Sequence, residues 1–502
     1  VVEFSYNPDG TRDEVTYPDG ATVRYTHDGG ALAEVYVAVP GSGEVLMGTS
    51  EYNVDGQVTE EDLYGSTNLR TYQYHDGGYL SDYYNALALP ATSGTFEVDT
   101  DLTYDRAGQI ATTAPDGGSA TTFEYDAAGQ LVEVDAPGGS TGDYTYTYRE
   151  DGARTAQSAN GTGTTYGLNA AGELGSSTTS SQTTTYTWDD AGRMTAIDGP
   201  SVDHTYTYDQ RGYPTTIVSN GPDTFDQERV YDGDGTLQTV TATDGAAEFD
   251  YQFTWDNQSV PEIMTATIDY DISGYTGTLD IRAVIGYGRL YDEQVGAGKN
   301  WYAHDHAGPV LNTSYQNPGP ITYDPYGNAT GVETWLYFGY HSELTIGKDV
   351  HLRARDYQPQ LGQFRTRDPL DGVSGTPTIT NPYHYTDNNP TNREDPTGLR
   401  AQDQAATLEA LASLFPGAGG GPGSQGGCTR EQAVVDTYVR GGEWNPGSPT
   451  NPHCASSDPV ARAIQEGTMQ IGPELNQCSQ SDQSELDSFD QGQTGVSSAT
   501  IG

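Results

Sequence analysis

The segments Tyr104-Asp105-Arg106-Ala107-Gly108, Tyr125-Asp126-Ala127-Ala128-Gly129, Trp188-Asp189-Asp190-Ala191-Gly192, Tyr208-Asp209-Gln210-Arg211-Gly212 and Tyr231-Asp232-Gly233-Asp234-Gly235 repeat one pattern: aromatic, aspartate, two variable residues, glycine. Weaker copies start at Tyr6, Tyr52, Tyr148 and Leu168. From Tyr104 the starts fall at 104, 125, 148, 168, 188, 208 and 231, a period of 20 to 23 residues, which marks a repeat architecture. Each unit reads as a hairpin, because the aspartate can cap a turn with its carboxylate while glycine supplies the positive φ. The flanks alternate with period two, as in Thr145-Tyr146-Thr147-Tyr148 and Thr205-Tyr206-Thr207-Tyr208, so the tyrosines share one face of a strand. A single hairpin cannot bury its face alone, and the units are expected to stack into one long sheet.

Composition agrees. In 502 residues there are 37 Tyr and 63 Gly but only 34% hydrophobic residues, so apolar surface comes largely from tyrosine set between turns. Acidic residues number 71 and basic residues 22, a net charge of −49, and the only lysines are Lys299 and Lys348. Such a surface repels phosphate backbones, which excludes nucleic-acid binding by the bulk of the chain and predicts adaptation to high salt or bound cations. No apolar run is long enough to span a bilayer, and Val1 begins in mid-pattern, which reads as a mature or trimmed fragment. Cys428, Cys454 and Cys478 all follow residue 400, so the first 400 residues need neither disulfide nor thiolate site.

The repeats resemble the YD-repeat family, which includes Rhs proteins, the C component of insecticidal toxin complexes and the teneurin ectodomain. That resemblance implies an all-β fold, a spiralling sheet that forms a hollow shell over residues 1–299. From 300 to 399 a denser series follows: Trp301-Tyr302-Ala303-His304-Asp305-His306, Tyr323-Asp324-Pro325-Tyr326-Gly327-Asn328, Arg353-Ala354-Arg355-Asp356-Tyr357, Arg367-Asp368-Pro369-Leu370 and Asp395-Pro396-Thr397-Gly398-Leu399. In order and spacing this series is similar to the Rhs-associated core domain, which closes the shell. His304 and His306 would face the same way on a strand, as metal ligands do, but no third ligand is evident nearby, and the segment is read as structural with no metal and no cofactor.

Asp356 and Asp368 carry the sharper chemistry. Two carboxylates in a dry pocket cannot both ionise, so they share a proton and supply one acid and one base, with Arg355 able to hold them. The same residues read equally well as turn caps or ion-pair partners of Arg353, Arg355 and Arg367. In the similar toxin-complex proteins an Arg-Asp pair followed twelve residues later by a second Asp carries self-cleavage, and Arg355, Asp356 and Asp368 match that spacing. By the same resemblance the cut falls between Leu399 and Arg400, with Asp395, Pro396 and Gly398 shaping the turn that presents the bond. Gln358 stands where many relatives carry Asp, and the stretch 372–380 replaces a glycine-rich loop.

Residues 400–502 form a third, variable part. It is read as partly helical, from about Asp403 to Leu414, from Thr429 to near Arg440 and from Ser457 to near Gly467, with a Gly-rich linker at 417–427 and a disordered end from Ser479. His453-Cys454 is too sparse for a defined thiol-imidazole site. In relatives this tail is an effector, often a toxin. The resemblance thus implies a secreted or cell-surface shell whose partners are its own C-terminal tail and a delivery apparatus or receptor. The alternatives are a teneurin-like adhesion protein and a structural repeat protein without cleavage.

Overall fold

In the computed structural model the described residues are 1–403 other than 64–68, 76–77, 90–93, 140–141, 221–224, 257, 259, 287, 297, 306–307, 313–320, 331–335, 370–380 and 400. The expected tail helices and the His453-Cys454 pair lie outside them, as do the side chains of His304 and His306.

The repeats fold as the alternation requires. From Glu3–Tyr6 to Gly308–Asn312 every strand pairs antiparallel with the next in sequence, giving a meander of 28 strands among the described residues. Apart from two short 3-10 turns, Tyr340–Ser342 and Thr386–Asn388, no helix occurs among them. The sheet continues through the hairpin of Gly288–Gln294 with Gly298–Asp305.

At each motif the aspartate caps a turn. Asp126 Oδ1 accepts the N–H groups of Ala128 at 2.9 Å and Gln130 at 3.0 Å, while Gly129, at φ +82°, donates its N–H to the Asp126 carbonyl. The ladder shifts register between Glu124 and Tyr125, so each turn carries a bulge that adds twist. The motif aromatic then ties one repeat to the previous one. Tyr125 Oη donates to the carbonyl of Ile110, Tyr148 to Leu131 and Tyr208 to Met194, at 2.8, 2.6 and 2.5 Å, and the indole of Trp188 donates to Leu174 at 2.7 Å. Tyrosine and tryptophan therefore interchange at this position because each offers an apolar body and a donor at its tip. Tyr148→Phe keeps the ring and is expected to cost about 1 kcal/mol, read as a lower midpoint in urea. An unchanged midpoint would show that the hydroxyl adds nothing beyond the ring.

The sheet curls back on itself. Val15, Tyr17 and Val23 share a buried cluster with Met264, Val284, Leu290 and Trp301. Tyr17 Oη donates to the Ala283 carbonyl at 2.5 Å, and Arg12 pairs with Asp256 at 2.8 Å. Elsewhere the strands set like charges opposite each other: Asp250 faces Asp269, Glu248 faces Asp271 and Asp82 faces Asp101. Burial and the Asp101 carboxylate raise Asp82 above its ordinary value. Directly opposed carboxylates destabilise a sheet unless salt screens them. The melting temperature is therefore expected to climb by about 5 °C between dilute buffer and molar sodium chloride. A flat or falling trend would leave the charge as a solubility feature only.

The described residues of 321–368 and 381–399 cover part of this sheet. Their own five-stranded sheet comprises Leu336–Phe338, Leu344–Ile346, Asp349–Leu352, Arg355–Gln358 and Gln363–Phe364. Beyond it an asparagine-rich stretch reads the repeat turns one after another. Asn392 Oδ1 accepts the N–H of Ile110 at 2.7 Å, Asn388 donates to the Gly152 carbonyl at 2.7 Å, and Tyr383 Oη donates to the Gly192 carbonyl at 3.2 Å. Asparagine suits this work because its amide both donates and accepts.

Candidate cleavage site

The hairpin of Asp349–Leu352 with Arg355–Gln358 places Arg355 and Asp356 on one buried strand, side by side in sequence and facing opposite ways as strand neighbours must. Asp368 lies beside them, and its N–H donates to the Pro382 carbonyl at 3.0 Å.

Arg355 is the hub. It is 4% exposed, and its guanidinium lies 3.6 Å from the centre of the Phe364 ring. Nε donates to the Gly398 carbonyl, Nη1 donates to the Pro382 carbonyl at 3.2 Å, and Nη2 meets Asp368 Oδ2 at 3.0 Å and Asp395 Oδ2 at 3.6 Å. The turn it grips is the Asp-Pro-Thr-Gly-Leu motif. Asp395 Oδ1 accepts the N–H of Leu399 at 3.0 Å and the hydroxyl of Thr397 at 3.2 Å, and the Gly398 N–H donates to the Asp395 carbonyl at 3.2 Å. Gly398 sits at φ +68°, and a Cβ there would overlap the Leu352 carbonyl and approach the Arg355 nitrogen to 2.9 Å. Only glycine fits so close to another backbone in that conformation. Pro396 contributes its carbonyl, which accepts from Arg353 Nη1 at 2.6 Å while the same nitrogen holds both Glu343 oxygens at 2.6 Å. Leu399 is buried at 3% exposure, and Arg400 lies outside the described residues.

The carboxylate of Asp356 is held by other partners. Oδ2 pairs with Arg229 Nη1 at 2.6 Å and lies 3.7 Å from Arg365 Nη1, and Oδ1 is 3.0 Å from His351 Nδ1. Burial alone would raise this carboxyl, but the Arg229 guanidinium and the His351 hydrogen bond outweigh it and hold Asp356 below its ordinary value. Burial pushes the His351 imidazole down, so it is neutral and Nδ1 must carry the hydrogen it gives to Asp356. Of the sequence-derived residues, Arg355, Asp368, Asp395, Gly398 and Leu399 thus meet around one guanidinium, and Asp356 is ion-paired through Arg229. Its partner is none of the three arginines considered from sequence. Arg229 and His351 escaped the sequence reading: Arg229 sits 127 residues away on a repeat strand, and nothing local marks it. Cross-strand pairing of His351 with Asp356 was the one available signal.

Among the described residues no three His, Cys, Asp or Glu side chains gather as a metal site. None of their helices is long and apolar enough to cross a membrane.

A continuous antiparallel sheet built from aromatic-Asp-x-x-Gly hairpins is the architecture of YD/Rhs repeats, and this chain carries such repeats. Residues 102–141 match the RHS Repeat family model. The chain is 33% identical over 113 residues to the tRNA3(Ser)-specific nuclease WapA of Bacillus spizizenii, and 30% identical over 107 residues to the tRNA nuclease WapA of Bacillus subtilis. These matches cover 20% of this chain and only 5% and 4% of those proteins. The crystal structure of TcdB2-TccC3-Cdc42 resembles it with a TM-score of 0.59 at 16% identity, over 83% of this chain and 22% of that one. That of TcdB2-TccC3 gives 0.59 at 15% identity over 79% of this chain. At such identity the likeness concerns the fold.

Proposed function

We propose that this chain is the shell of a toxin-like delivery protein that encloses its own C-terminal segment, residues 400–502, and frees it by cutting the bond between Leu399 and Arg400. The observation that carries the reading is Arg355. One buried guanidinium grips the carbonyl of the residue before Leu399 and, through Nη2, the carboxylate of Asp368. Arg355, Asp356 and Asp368 are the residues of the cleavage chemistry, and Asp395, Pro396 and Gly398 hold the turn in reach. In this reading Asp356, held ionised by Arg229, and Asp368, held at the Arg355 guanidinium, are the two carboxylates that hydrolysis needs. The WapA relatives, named as nucleases, fit a chain whose activity resides in a segment joined to repeats, and the family resemblance adds a secreted or cell-surface setting.

The test is retention after cutting. Native gel filtration is expected to keep the two pieces together, and added protease to spare the 400–502 piece until denaturant opens the shell. A tail that elutes separately, or is digested in native buffer, would sink the enclosure.

A further inference from the structure

We propose that Arg353 is a positioning residue for the cut: it holds the Asp395–Leu399 turn in register against the repeat sheet, and so fixes where the Leu399 carbonyl stands. The inference rests on the self-cleavage reading and concerns how the bond is presented.

Consecutive residues of the hairpin hold consecutive carbonyls of the turn. Arg353 Nη1 donates to the Pro396 carbonyl at 2.6 Å, the Ala354 N–H donates to that of Thr397 at 3.2 Å, and Arg355 Nε donates to that of Gly398. The next carbonyl in the chain is that of Leu399, and its place follows from those before it. Arg353 carries this ladder on to the repeat sheet. Its Nε and Nη2 donate to the Pro261 carbonyl at 3.0 and 2.8 Å, and Nη2 meets Glu262 Oε1 at 3.3 Å, at the entry to the strand Ile263–Ile272. With Glu343 held at 2.6 Å, one guanidinium joins the sheet, the core segment and the turn.

The backbone gives an independent sign. Leu352 pairs with Arg355, so Arg353 and Ala354 form a two-residue hairpin loop, and Arg353, at φ +55°, takes the first place in it. Tight hairpins favour glycine there, because a Cβ is strained in that conformation. Such strain persists only where the surroundings hold it. Arg353 is 7% exposed, so its charge does not serve solubility. What arginine adds over glycine at this position is the grip of its guanidinium on Pro261 and Pro396.

Glycine at 353 therefore removes the grip without opposing the hairpin. The test places it in a Glu343→Gln background, which strands no carboxylate: burial already pushes Glu343 above its ordinary range, and Glu262 keeps Arg289 at 3.6 Å. Glu343→Gln alone is expected to cut near the wild-type rate, since glutamine still accepts from Arg353 Nη1. Adding Arg353→Gly should slow cutting about 100-fold, the loss that a shift of about 1 Å brings. Cutting is followed on denaturing gels at a temperature well below every melting midpoint. Val58→Ala, packed with Tyr72 and Tyr83 elsewhere in the sheet, lowers the midpoint without touching the turn and should cut like wild type. Cutting of the double variant at the rate of Glu343→Gln would overturn the proposal, and so would equal slowing in Val58→Ala, which would make the loss one of stability. Should the double variant fail to fold, Arg353→Lys replaces it. Lysine keeps the charge, but one ammonium cannot span Pro261 and Pro396, and cutting should slow about 10-fold or more; the wild-type rate there overturns the proposal. If Asp368→Asn is also cut like wild type, the self-cleavage reading falls too; if Asp368→Asn stays whole, only the role of Arg353 is lost.

Discussion

Asp356→Asn and Asp368→Asn are each expected to leave the chain uncut at Leu399, slowing hydrolysis by at least about 100-fold while the sheet still forms. The two changes act on different parts of the site. At Asp368 asparagine can still accept from Arg355 Nη2, but it can neither hold nor release a proton. At Asp356 it keeps one acceptor for Arg229 and loses the negative charge that the proposed role requires. Neither change alters side-chain volume much, so packing around the Tyr357 and Tyr385 rings, stacked at 3.9 Å, is preserved. Denaturing electrophoresis of protein purified from matched cultures reads the result. Cutting at the wild-type rate in either variant would mean that another carboxylate or a contaminating protease makes the break.

Arg229→Met should be the most destabilising single change near the site, because it strands a buried carboxylate. Breaking one partner out of such a pair costs about 3–5 kcal/mol. The dependence on pH distinguishes this cause from lost packing. In the wild type Asp356 lies below its unfolded value of 3.8, burial raising it and Arg229 and His351 lowering it further. Its contribution to stability is therefore present above about pH 4 and lost as the pH falls through the folded value. Without Arg229 burial prevails and the carboxyl rises above its unfolded value, so the variant is penalised most where an unfolded aspartate would be ionised. The stability gap between wild type and variant should accordingly narrow from pH 7 to pH 4 in urea unfolding. A gap constant with pH would show that Arg229 acts by packing alone.

The repeat turns were legible because aspartate cap, glycine and strand alternation are local, and each recurs in register from Tyr104 to Gly235. The donor at the aromatic tip was less so: that Tyr148 and Trp188 reach back to the Leu131 and Leu174 carbonyls depends on how neighbouring hairpins stack. At the site, spacing pointed to Arg355, Asp368 and the turn from Asp395 to Leu399, which the structure gathers around one guanidinium. The Arg229 partner of Asp356 was invisible, since an arginine in an alternating strand looks like any solvent-facing residue until the core segment lies over it. For the same reason Asp395 read as a turn cap. Its burial beside Arg355 is a property of tertiary packing.

The most direct test of the account is the intact mass of the purified, denatured 53.7 kDa chain together with the N-terminal sequence of any small fragment. The account predicts two species, one ending at Leu399 and one beginning Arg400-Ala401-Gln402. A single uncut chain, or a break at any other bond, would contradict it.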